Sequence, residues 1–389
     1  MKKILVVHPG FDVIGGAEIV ALNIISFLLK HFDGRLSLLT LVPVNWSTVF
    51  SLVQISFSTS GIENMIAKCP LPVLKRKGEL ELLKLAYLHR DAKRLAAEYD
   101  ICFSTYNEID FSKPGIQYVH HPSFAPRKLL QELHFLETRN VLDTIPLANF
   151  FYRKIIGVVS GDQLSGYRQN FTMVNSGFMK DVIAKTFGIV GEVVYPSFLD
   201  DAIDLEANSD WQAKEFRFVT VGRISPDKQL ERTIVDFSIL AREFPQADFV
   251  IAGRSVNREY EGLLQKMAGD LGVHVRIRTD LSQKELKNLL RTSKFYVHSK
   301  INEHFGIAIV EAAAMGCLAL AHDSGASREI VNSGLLLYRS SADLVERVRL
   351  LLNDEGEREE ALRALRDGLG RFKAGGFYTR LQEILAPHL

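Results

Sequence analysis

The sequence is poor in cysteine, and its few cysteines are widely spaced. Three occur in 389 residues, at Cys69, Cys102 and Cys317, and no two of them form a C-x-x-C pair. Such spacing argues against both a disulfide framework and a zinc cage built from thiolates. We therefore expect a protein of a reducing compartment, the cytoplasm.

Net charge and long apolar runs are also lacking. The formal net charge is +1, and no arginine-rich tract with interleaved aromatic residues occurs, so the sequence does not favour a nucleic-acid-binding surface. The apolar opening ends at His8-Pro9-Gly10, too early for a signal peptide. Elsewhere no run approaches the ~20 apolar residues that a transmembrane helix needs. We expect a chain that does not span a membrane.

Two common ligand-binding patterns are missing as well. Gly10, Gly15 and Gly16 do not make G-x-G-x-x-G, the fingerprint of dinucleotide binding, and this disfavours a nicotinamide-dependent enzyme. No D-x-D triplet occurs either, so the sequence offers no such carboxylate pair for a divalent cation. We therefore expect neither a metal ion nor a bound cofactor in the chemistry.

What the sequence does contain is a regular alternation of apolar strands and amphipathic helices. The first half opens with strand, glycine loop and helix (KILVVHPG, FDVIGG, AEIVALNIISFLLKHF), and a second series starts at FRFVTVGRI. Strands that alternate with helices of about 10 to 15 residues predict parallel sheets. We predict an α/β protein with two Rossmann-like, doubly wound parallel-sheet domains that face a cleft.

The border between the two series is predicted near residue 200. The stretch from Tyr195 to Glu215 is acidic, contains proline and has no clear hydrophobic period. In open α/β sheets ligands bind beyond the carboxyl ends of the strands. The loops that follow strands are therefore the candidate site.

The stretch INEHFGIAIVEAAAMGC, residues 301–317, holds two glutamates eight positions apart. Glu303 precedes a predicted helix that begins near Gly306, and Glu311 lies in its second turn, which separates the two by roughly 12 Å. That is too far for the carboxylate pair of a glycosidase. We infer that they bind different parts of one elongated ligand. The alternative is that Glu303 complements the helix dipole and that Glu311 is a surface residue. The apolar neighbours of Glu311 make a surface position unfavourable for it.

The start of this helix is the predicted anion site. Backbone amides around Phe305, Gly306 and Ile307 have no partners within the helix and favour a phosphate group. A ligand that contacts Glu303, the helix start and Glu311 in turn would carry hydroxyl groups, a diphosphate and further hydroxyl groups. A nucleotide sugar has these groups in that order. In that reading the sugar hydroxyls contact Glu303 and the ribose hydroxyls contact Glu311.

Two cations follow the predicted strand from Phe216 to Val221, in the loop VGRISPDKQLE. Arg223 offers a planar bidentate donor and Lys228 a mobile point charge, and together they would neutralise the charge on a departing nucleoside diphosphate. Taken alone, two such residues in a loop are more often surface charges. We also assign Gly253, which follows the next predicted strand of this half, to nucleotide-sugar binding.

Two loops of the first half complete the candidate site. Gly15 and Gly16 follow the first strand and would let the backbone approach a phosphate or sugar, or else they form a tight turn without a ligand. His120 and His121 end another strand, in QYVHHPS. A catalytic role and a structural hydrogen-bonding role are both open for these histidines.

Together these elements resemble the retaining glycosyltransferases of family 4, which have the GT-B fold. The likeness rests on the E-x7-E pattern of Glu303 and Glu311, on the pattern of Gly222, Arg223 and Lys228, and on the N-terminal glycine loop. It extends over nearly the whole chain through VNSGFMKDVI and VVYPSF. Within the family, NEHFGIAIVEAAAMGCLALAHDSG and YVHHPS are closest in motif to the mannosyltransferases of lipid-linked oligosaccharides.

The resemblance implies transfer of a hexose, with mannose favoured, from a nucleotide sugar to a glycan or lipid-linked acceptor. GDP-mannose is the favoured donor and a UDP-sugar the alternative. The anomeric configuration would be retained, and no metal would take part. By position, Glu303 would contact the donor sugar, Glu311 the ribose, Arg223 and Lys228 the diphosphate, and His120 would lie near the sugar.

The resemblance also implies a division of labour along the chain. Residues 1–200 would form an N-terminal acceptor-binding domain, and residues 201–370 a C-terminal domain that binds the nucleotide sugar. A helix within residues 371–389 would cross back to the first domain. Two other functions stay open: a nucleotide-sugar epimerase on the same fold, and a non-catalytic partner subunit.

Residues 68–94 suggest a contact with a membrane surface. They carry a net charge of +5 with leucines interleaved among the cations. This composition is typical of a basic amphipathic helix that lies on anionic lipid, at the cytoplasmic face of a membrane. A solvated surface helix is the alternative.

Overall fold

A computed structural model of the chain describes residues 2–53, 55–75, 80–135, 146–198, 210–255, 258–279 and 281–388. The chain forms two compact units. Unit 1 comprises Met1–Leu130, Arg139–Pro196 and Tyr378–Leu389, and unit 2 comprises Gln131–Thr138 and Ser197–Phe377. The predicted border near residue 200 falls within 199–209, outside the described residues.

The described part of unit 1 contains a seven-stranded sheet. Its strands are β1 (Lys2–Val7), β2 (Gly34–Thr40), β3 (Ile62–Ile66), β4 (Ile101–Ser104), β5 (Ile116–Val119), β6 (Phe171–Val174) and β7 (Glu192–Val193). Their order is β3-β2-β1-β4-β5-β6-β7, and every pair is parallel. The inner strands are mostly buried and largely apolar, as in Ile4 to Val7, since both faces of a parallel sheet are covered.

The helices of unit 1 follow the predicted alternation. They are α1 (Gly16–His31), α2 (Trp46–Leu52), α3 (Leu71–Leu74), α4 (Glu81–Leu95), α5 (Arg127–Glu132), which continues into unit 2, α6 (Pro146–Ser160), α7 (Leu164–Arg168) and α8 (Gly177–Phe187). Local signals set their ends, as in α8, where the Ser176 hydroxyl accepts the Met179 N–H at 3.1 Å and Gly188 ends the helix with a φ of +66°.

The leucines of the basic segment 68–94 have a structural role that the sequence analysis did not predict. Leu85 and Leu88 of α4 are buried in the core of unit 1 together with Val7 and Leu39. Residues 76–79, which include part of the predicted basic cluster, lie outside the described residues. Leu85 and Leu88 therefore pack against the sheet and are not available to lie on lipid, whereas membrane contact by the rest of the segment stays a prediction.

Unit 2 is built on a second parallel sheet, six-stranded in its described part. The strands are β8 (Glu215–Val221), β9 (Asp248–Ala252), β10 (Arg276–Arg278), β11 (Ser293–His298), β12 (Leu318–His322) and β13 (Leu337–Tyr338). Their order is β10-β9-β8-β11-β12-β13. The helices are α9 (Leu230–Glu243), α10 (Arg258–Asp270), α11 (Gln283–Thr292), α12 (Ile307–Ala314), α13 (Ser327–Val331), α14 (Ser341–Asn353) and α15 (Glu355–Leu369).

A row of stacked phenylalanines crosses the centre of this sheet. Phe218 on β8 is in register with Phe249 on β9 and with Phe295 on β11. Its ring centroid lies 5.4 Å and 5.0 Å from theirs, with interplanar angles of 8° and 13°. Such cross-strand aromatic pairs contribute about 0.5–1.5 kcal/mol each beyond their burial. They fix the register of the three strands, and thereby the relative positions of the loops at their carboxyl ends.

The last described helix, α16 (Ala374–Leu385), lies in the region for which a final helix is predicted. From Tyr378 onward its residues belong to unit 1. There the Tyr378 hydroxyl donates to Asn23 at 2.8 Å, and Arg380 pairs with Glu192 at 3.0 Å.

The two sheets confirm the predicted α/β class with doubly wound parallel sheets. Within the described ranges, no helix combines the length and the apolar character needed to cross a bilayer. In unit 2 the strand order places β8 directly beside β11, although the two are far apart in sequence. The loops after Val221 and after His298 therefore leave the sheet side by side.

Candidate active site

Glu303 is the centre of a charged cluster in the loop after β11. Its side chain is buried, and the residue is 4% exposed. Oε2 lies 3.4 Å from the ammonium of Lys228 and 3.2 Å from Nε2 of His298. Oε1 accepts the N–H of His304 at 3.0 Å and lies 3.6 Å from the ammonium of Lys300. Of the residues predicted for the site, Glu303 and Lys228 are therefore in direct contact.

The surroundings of Glu303 stabilise its ionised form. Burial alone would raise the pKa of the carboxyl, but the charges of Lys228 and Lys300 and the hydrogen bond from His298 hold its pKa well below the usual range. Two ammonium groups next to one carboxylate leave the cluster with positive charge to spare. Such a cluster can bind an additional anion.

Lys228 reaches Glu303 because of a short turn after β8. Residues Pro226–Lys228 form a single 3₁₀ turn, and Gln229 follows with a φ of +51°. The Gln229 side chain accepts the N–H of Ile301 at 3.1 Å, which joins this loop to the one that carries Glu303. Arg223, in the same loop, has a half-exposed guanidinium that pairs with Asp227 at 3.3 Å.

His298 and Lys300 are site residues that the sequence analysis missed. Nδ1 of His298 lies 3.3 Å from the hydroxyl of buried Tyr296, and Nε2 faces Glu303. Burial lowers the pKa of His298, against the opposing effect of Glu303. A neutral ring next to a carboxylate must place its proton on Nε2, so His298 is a fixed donor to Glu303. The sequence feature that could have identified them is the presence of two basic residues within five positions of Glu303, at the end of a buried strand.

The turn after β12 holds the loop around Glu303 through hydrogen bonds. The N–H of Ala326 donates to the carbonyl of Glu303 at 2.9 Å, and the Ser324 hydroxyl accepts the N–H of Asn302 at 2.9 Å. Gly325 has a φ of +62°, and a Cβ there would lie 2.6 Å from the Glu303 carbonyl oxygen. This position therefore requires glycine for both conformation and space.

The helix start after Glu303 matches the prediction. α12 begins at Ile307, and Gly306 caps it with a φ of +105° and without a capping side chain. The side chain of Phe305 is buried against Phe198 and Phe372, so only its backbone can face a ligand. Helix N-termini favour anions because their first amides lack intrahelical acceptors.

Glu311 lies on α12 in a very different environment. Its carboxylate makes no hydrogen bond or ion pair with the residues described. Burial raises the pKa of Glu311 to about 7, and nearby Lys287 only partly opposes this shift. The side chain is partly exposed and can therefore accept hydrogen bonds from a ligand.

Gly253 occupies a tight approach between two strand ends. It has a φ of +152°, and a Cβ would lie 1.8 Å from the carbonyl oxygen of Gly222. The loops after β8 and β9 are joined here, since the N–H of Ile224 donates to the Arg254 carbonyl at 2.9 Å. The glycine is explained by this packing, and its assignment to nucleotide-sugar binding stays a prediction.

A pocket lies next to this connection between the loops after β8 and β9. It has a volume of about 440 Å³, and it is polar. Ser255, at its edge, pairs with Ile224, the neighbour of Arg223. The pocket is lined by Ser255, Arg258, Glu261, Gly262, Gln265 and Thr279.

The glycine loop of unit 1 carries its own carboxylate. α1 begins at Gly16, one residue before the predicted start, and Gly15 is extended. The N–H of Gly15 donates to a carboxylate oxygen of Glu18 at 2.8 Å. Because Glu18 already supplies a negative charge at this helix start, an anionic ligand there would have to displace it. The assignment of Gly15 and Gly16 to ligand binding stays a prediction.

His120 follows β5 in unit 1 and is buried. Its ring Nε2 lies 3.2 Å from the Thr105 carbonyl, and its backbone N–H donates to the side-chain oxygen of Asn107 at 2.8 Å. Burial, with a smaller contribution from His121, lowers the pKa of His120 to about 3. The ring is thus neutral with its proton on Nε2, and Nδ1 is left as an acceptor. His120 belongs to unit 1, and its catalytic role stays a prediction.

A family model for glycosyl transferases group 1 matches residues 201–366. The match covers the second sheet and every residue of the charged cluster, and it includes Arg223 and Glu311.

Curated relatives are similar to this chain over part of their length. The human protein named GDP-Man:Man(3)GlcNAc(2)-PP-Dol alpha-1,2-mannosyltransferase is 26% identical over 285 residues, which are 66% of this chain and 57% of the relative. The protein of the same name from Xenopus tropicalis is 31% identical over 141 residues, 34% of this chain and 29% of the relative. The chain thus matches less than two thirds of either relative.

Among solved structures, HepE from Anabaena in complex with UDP and glucose is similar over 100% of both chains, with a TM-score of 0.66 and 18% identity. At that identity the likeness shows the fold alone. It confirms the GT-B fold predicted from the sequence.

Proposed function

We propose, from the premise that residues 201–366 are a group 1 glycosyltransferase domain, that this protein transfers a hexose from a nucleotide sugar to a glycan or lipid-linked acceptor. We favour mannose as the sugar and GDP-mannose as the donor, with a UDP-sugar as the alternative. The reaction retains the anomeric configuration and needs no metal ion. The mannosyltransferase names of the curated relatives support this choice.

The observation that carries the proposal is the contact between Lys228 and Glu303. A buried carboxylate that is kept ionised by two lysines and a histidine is suited to hydrogen-bond the hydroxyls of a sugar. The same lysine can turn toward a diphosphate, because its side chain is only partly buried. Sugar and diphosphate are adjacent groups in a nucleotide sugar.

The remaining groups of unit 2 fit the rest of such a donor. The uncapped start of α12 and the guanidinium of Arg223 would bind the diphosphate. The carboxylate of Glu311 would accept hydrogen bonds from the ribose hydroxyls. With Lys228 and Arg223 on the leaving group, developing negative charge would be neutralised by side chains, which is the basis for proposing a metal-independent reaction.

The pocket beyond Gly253 is the proposed site of the base. Glu261 lines it, and a carboxylate can accept two neighbouring N–H groups at once. Guanine presents such a pair on its Watson–Crick edge, whereas uracil presents a single N–H. Glu261 therefore favours a guanine nucleotide, in agreement with GDP-mannose as donor.

In the proposed reaction, an acceptor hydroxyl attacks the anomeric carbon from the face that the diphosphate leaves. The bond from the anomeric carbon to the diphosphate oxygen breaks, the new glycosidic bond forms, and the diphosphate oxygen takes the hydroxyl proton. Glu303 positions the sugar through its hydroxyls. His120 is proposed to lie near the sugar, and the acceptor is proposed to bind unit 1 at the cytoplasmic face of a membrane.

The proposal is tested by incubating the protein with GDP-mannose and a dolichol-linked or simple mannoside acceptor in excess EDTA. We expect an α-linked mannosyl product, identified by mass spectrometry and by α-mannosidase digestion. Turnover of the donor without any acceptor would favour an epimerase. A β-linked product, or loss of all transfer in EDTA, would contradict the mechanism.

Base selection is tested with Glu261→Gln. We expect the ratio of UDP to GDP dissociation constants to fall roughly 3- to 10-fold, because one strong acceptor becomes a mixed donor and acceptor. Calorimetric titration of both nucleotides measures this ratio, and Gln265→Ala is a control from the same pocket. An unchanged ratio would remove Glu261 from base recognition.

A further inference from the structure

Helix α6 exposes a row of large apolar side chains on the surface of unit 1. Exposed fractions along the row are 66% for Leu147, 52% for Phe150, 56% for Phe151, 51% for Ile155 and 85% for Val158. Exposed apolar residues scattered singly are ordinary, but a contiguous row of this size marks an interaction surface. We call these five residues the α6 row.

The spacing of the α6 row puts all of it on one helix face. Its members follow one another at intervals of three, one, four and three positions, which at 3.6 residues per turn span well under half of the helix circumference. The opposite face attaches the helix to unit 1. There Ile156 is buried, and the Tyr152 hydroxyl accepts the N–H of Leu83 in α4 at 3.3 Å. The row is therefore the outer face of a helix whose inner face is already packed.

The charges of this segment have one sign. Between residues 144 and 161 the sequence contains Arg153 and Lys154 and no aspartate or glutamate. Lys154 is exposed, and its ammonium lies 4.7 Å from the ring centroid of Phe150, a member of the row. An apolar row that contains a cation is complementary to a surface with an anionic outer layer over an apolar interior.

We propose that the α6 row docks onto an anionic lipid surface, with the phenylalanines between the acyl chains and Lys154 among the phosphates. A helix of 15 residues is about 22 Å long, shorter than the ~30 Å hydrocarbon core, so α6 lies along the interface. Lysine can extend its ammonium to the headgroups while its methylenes stay with the apolar row.

A second copy of the chain fits the row less well. Two-fold symmetry makes an interface self-complementary, so the centre of the row on one copy would meet the centre on the other. Lys154 lies near that centre, between Phe151 and Ile155. Pairing two rows would bring two ammonium groups together in a dry interface, which is unfavourable.

The docking proposal goes beyond the proposed function and does not depend on it. Membrane docking can be measured without any donor or acceptor. If both hold, docking would present unit 1 to an acceptor anchored in lipid. Failure of sugar transfer would leave the vesicle measurement unaffected, and the reverse is also true.

The test is co-sedimentation of the full chain with phosphatidylcholine vesicles, with and without phosphatidylglycerol. We expect binding that increases with phosphatidylglycerol. We expect Phe150→Ser with Phe151→Ser to lower the partition coefficient roughly 10-fold or more, because two buried aromatic rings are lost from the membrane. Lys154→Glu should lower binding to the anionic vesicles more than to the neutral ones.

The matched control replaces two apolar residues that are equally exposed elsewhere, Val190→Ser with Leu263→Ser, which are 82% and 51% exposed. This control should bind vesicles as the wild type does, and melting temperatures should stay the same in both double variants. A third variant, Lys75→Glu with Lys77→Glu, tests the basic segment 68–94, for which the sequence suggests membrane contact.

Three results would overturn the proposal. The first is a wild-type chain that does not sediment with anionic vesicles. The second is loss of binding in the Lys75/Lys77 variant with no loss in the Phe150/Phe151 variant. The third is a dimer in lipid-free solution, measured by analytical ultracentrifugation, that the Phe150/Phe151 variant dissociates, since this would assign the row to a second copy.

Discussion

Glu303 and Glu311 are the same residue type, eight positions apart, and their environments are opposite. Glu303 is surrounded by Lys228, Lys300 and His298, which hold its pKa well below the usual range. Glu311 has no ion-pair partner among the described residues, and burial raises its pKa to about 7. One carboxylate is fixed as an anion, whereas the other changes its charge near neutral pH.

This difference follows from where the two residues stand in the fold. Glu303 lies in the loop at the carboxyl end of β11, where the neighbouring loop after β8 brings in Lys228. Glu311 lies within α12, where the adjacent residues Val310 and Ala312 are buried and apolar. We conclude that Glu303 is kept ionised by the protein, whereas ionised Glu311 needs stabilisation from a ligand.

The largest expected effect is that of Glu303→Gln. It leaves Lys228 and Lys300 without their carboxylate and removes the ionised acceptor for the sugar hydroxyls. We expect the transfer rate to fall on the order of 10²- to 10³-fold, the usual loss for one preorganised electrostatic contact in an active site. Initial rates with GDP-mannose measure it. Transfer within a few-fold of wild type would show that Glu303 does not contact the reacting sugar.

The second prediction separates the two lysines that surround Glu303. Lys228 is partly exposed, with 26% of its side chain accessible, whereas Lys300 is buried. We expect Lys228→Met to weaken GDP binding roughly 10- to 100-fold, because the variant lacks the ammonium that would bind the diphosphate. We expect little change in melting temperature, because the Lys228 side chain is partly exposed.

Lys300→Met is the matched control for that experiment. Removing a buried cation beside a buried carboxylate destabilises the fold, so we expect a lower melting temperature and a smaller change in GDP affinity. Calorimetric titration and thermal unfolding measure both effects. Equal loss of GDP affinity in both variants would mean that the two lysines act as one charge cluster rather than in separate roles.

The smallest expected effect is a pH dependence from Glu311. With a pKa of about 7 in the free protein, the carboxyl gains a proton as the pH falls below 7 and loses its preferred form for accepting ribose hydroxyls. Donor binding favours the ionised form, so its affinity should be about 10-fold weaker at pH 6 than at pH 8.

The measurement uses GDP-mannose, because its diphosphate has no proton to gain in this range. Glu311→Gln is the control, and its affinity should be weaker than that of the wild type at pH 8 and independent of pH. A pH dependence that persists in Glu311→Gln would assign the titration to another group, since Glu303 stays ionised throughout.

Much of the fold and part of the site follow from local sequence patterns. The alternation of strands and helices predicted both parallel sheets, and the start of α12 was placed within one residue. The contact between Lys228 and Glu303 depends instead on β8 lying beside β11. Strand order is set by packing of the whole sheet, so no local pattern in the sequence states it.

The same reason explains the misses. His298 and Lys300 were passed over because a histidine and a lysine near a strand end are common, and only the folded loop turns both toward one carboxylate. Lipid contact was one of two possibilities for Leu85 and Leu88, which lie in the core, since their spacing does not distinguish a sheet from a membrane as the apolar partner. The packing role of Gly253, whose predicted part in ligand binding stays a prediction, could be seen only from how closely β8 and β9 approach at their ends.

The glycine in the turn after β12 limits how the site can vary. Gly325 contributes no side chain to the cluster, yet even a methyl group there would collide with the peptide that carries Glu303. An alanine at this position would thus shift the carboxylate without altering any charge. Homologues with changed specificity should accordingly vary the residues that line the pocket beyond β9, and keep this turn unaltered.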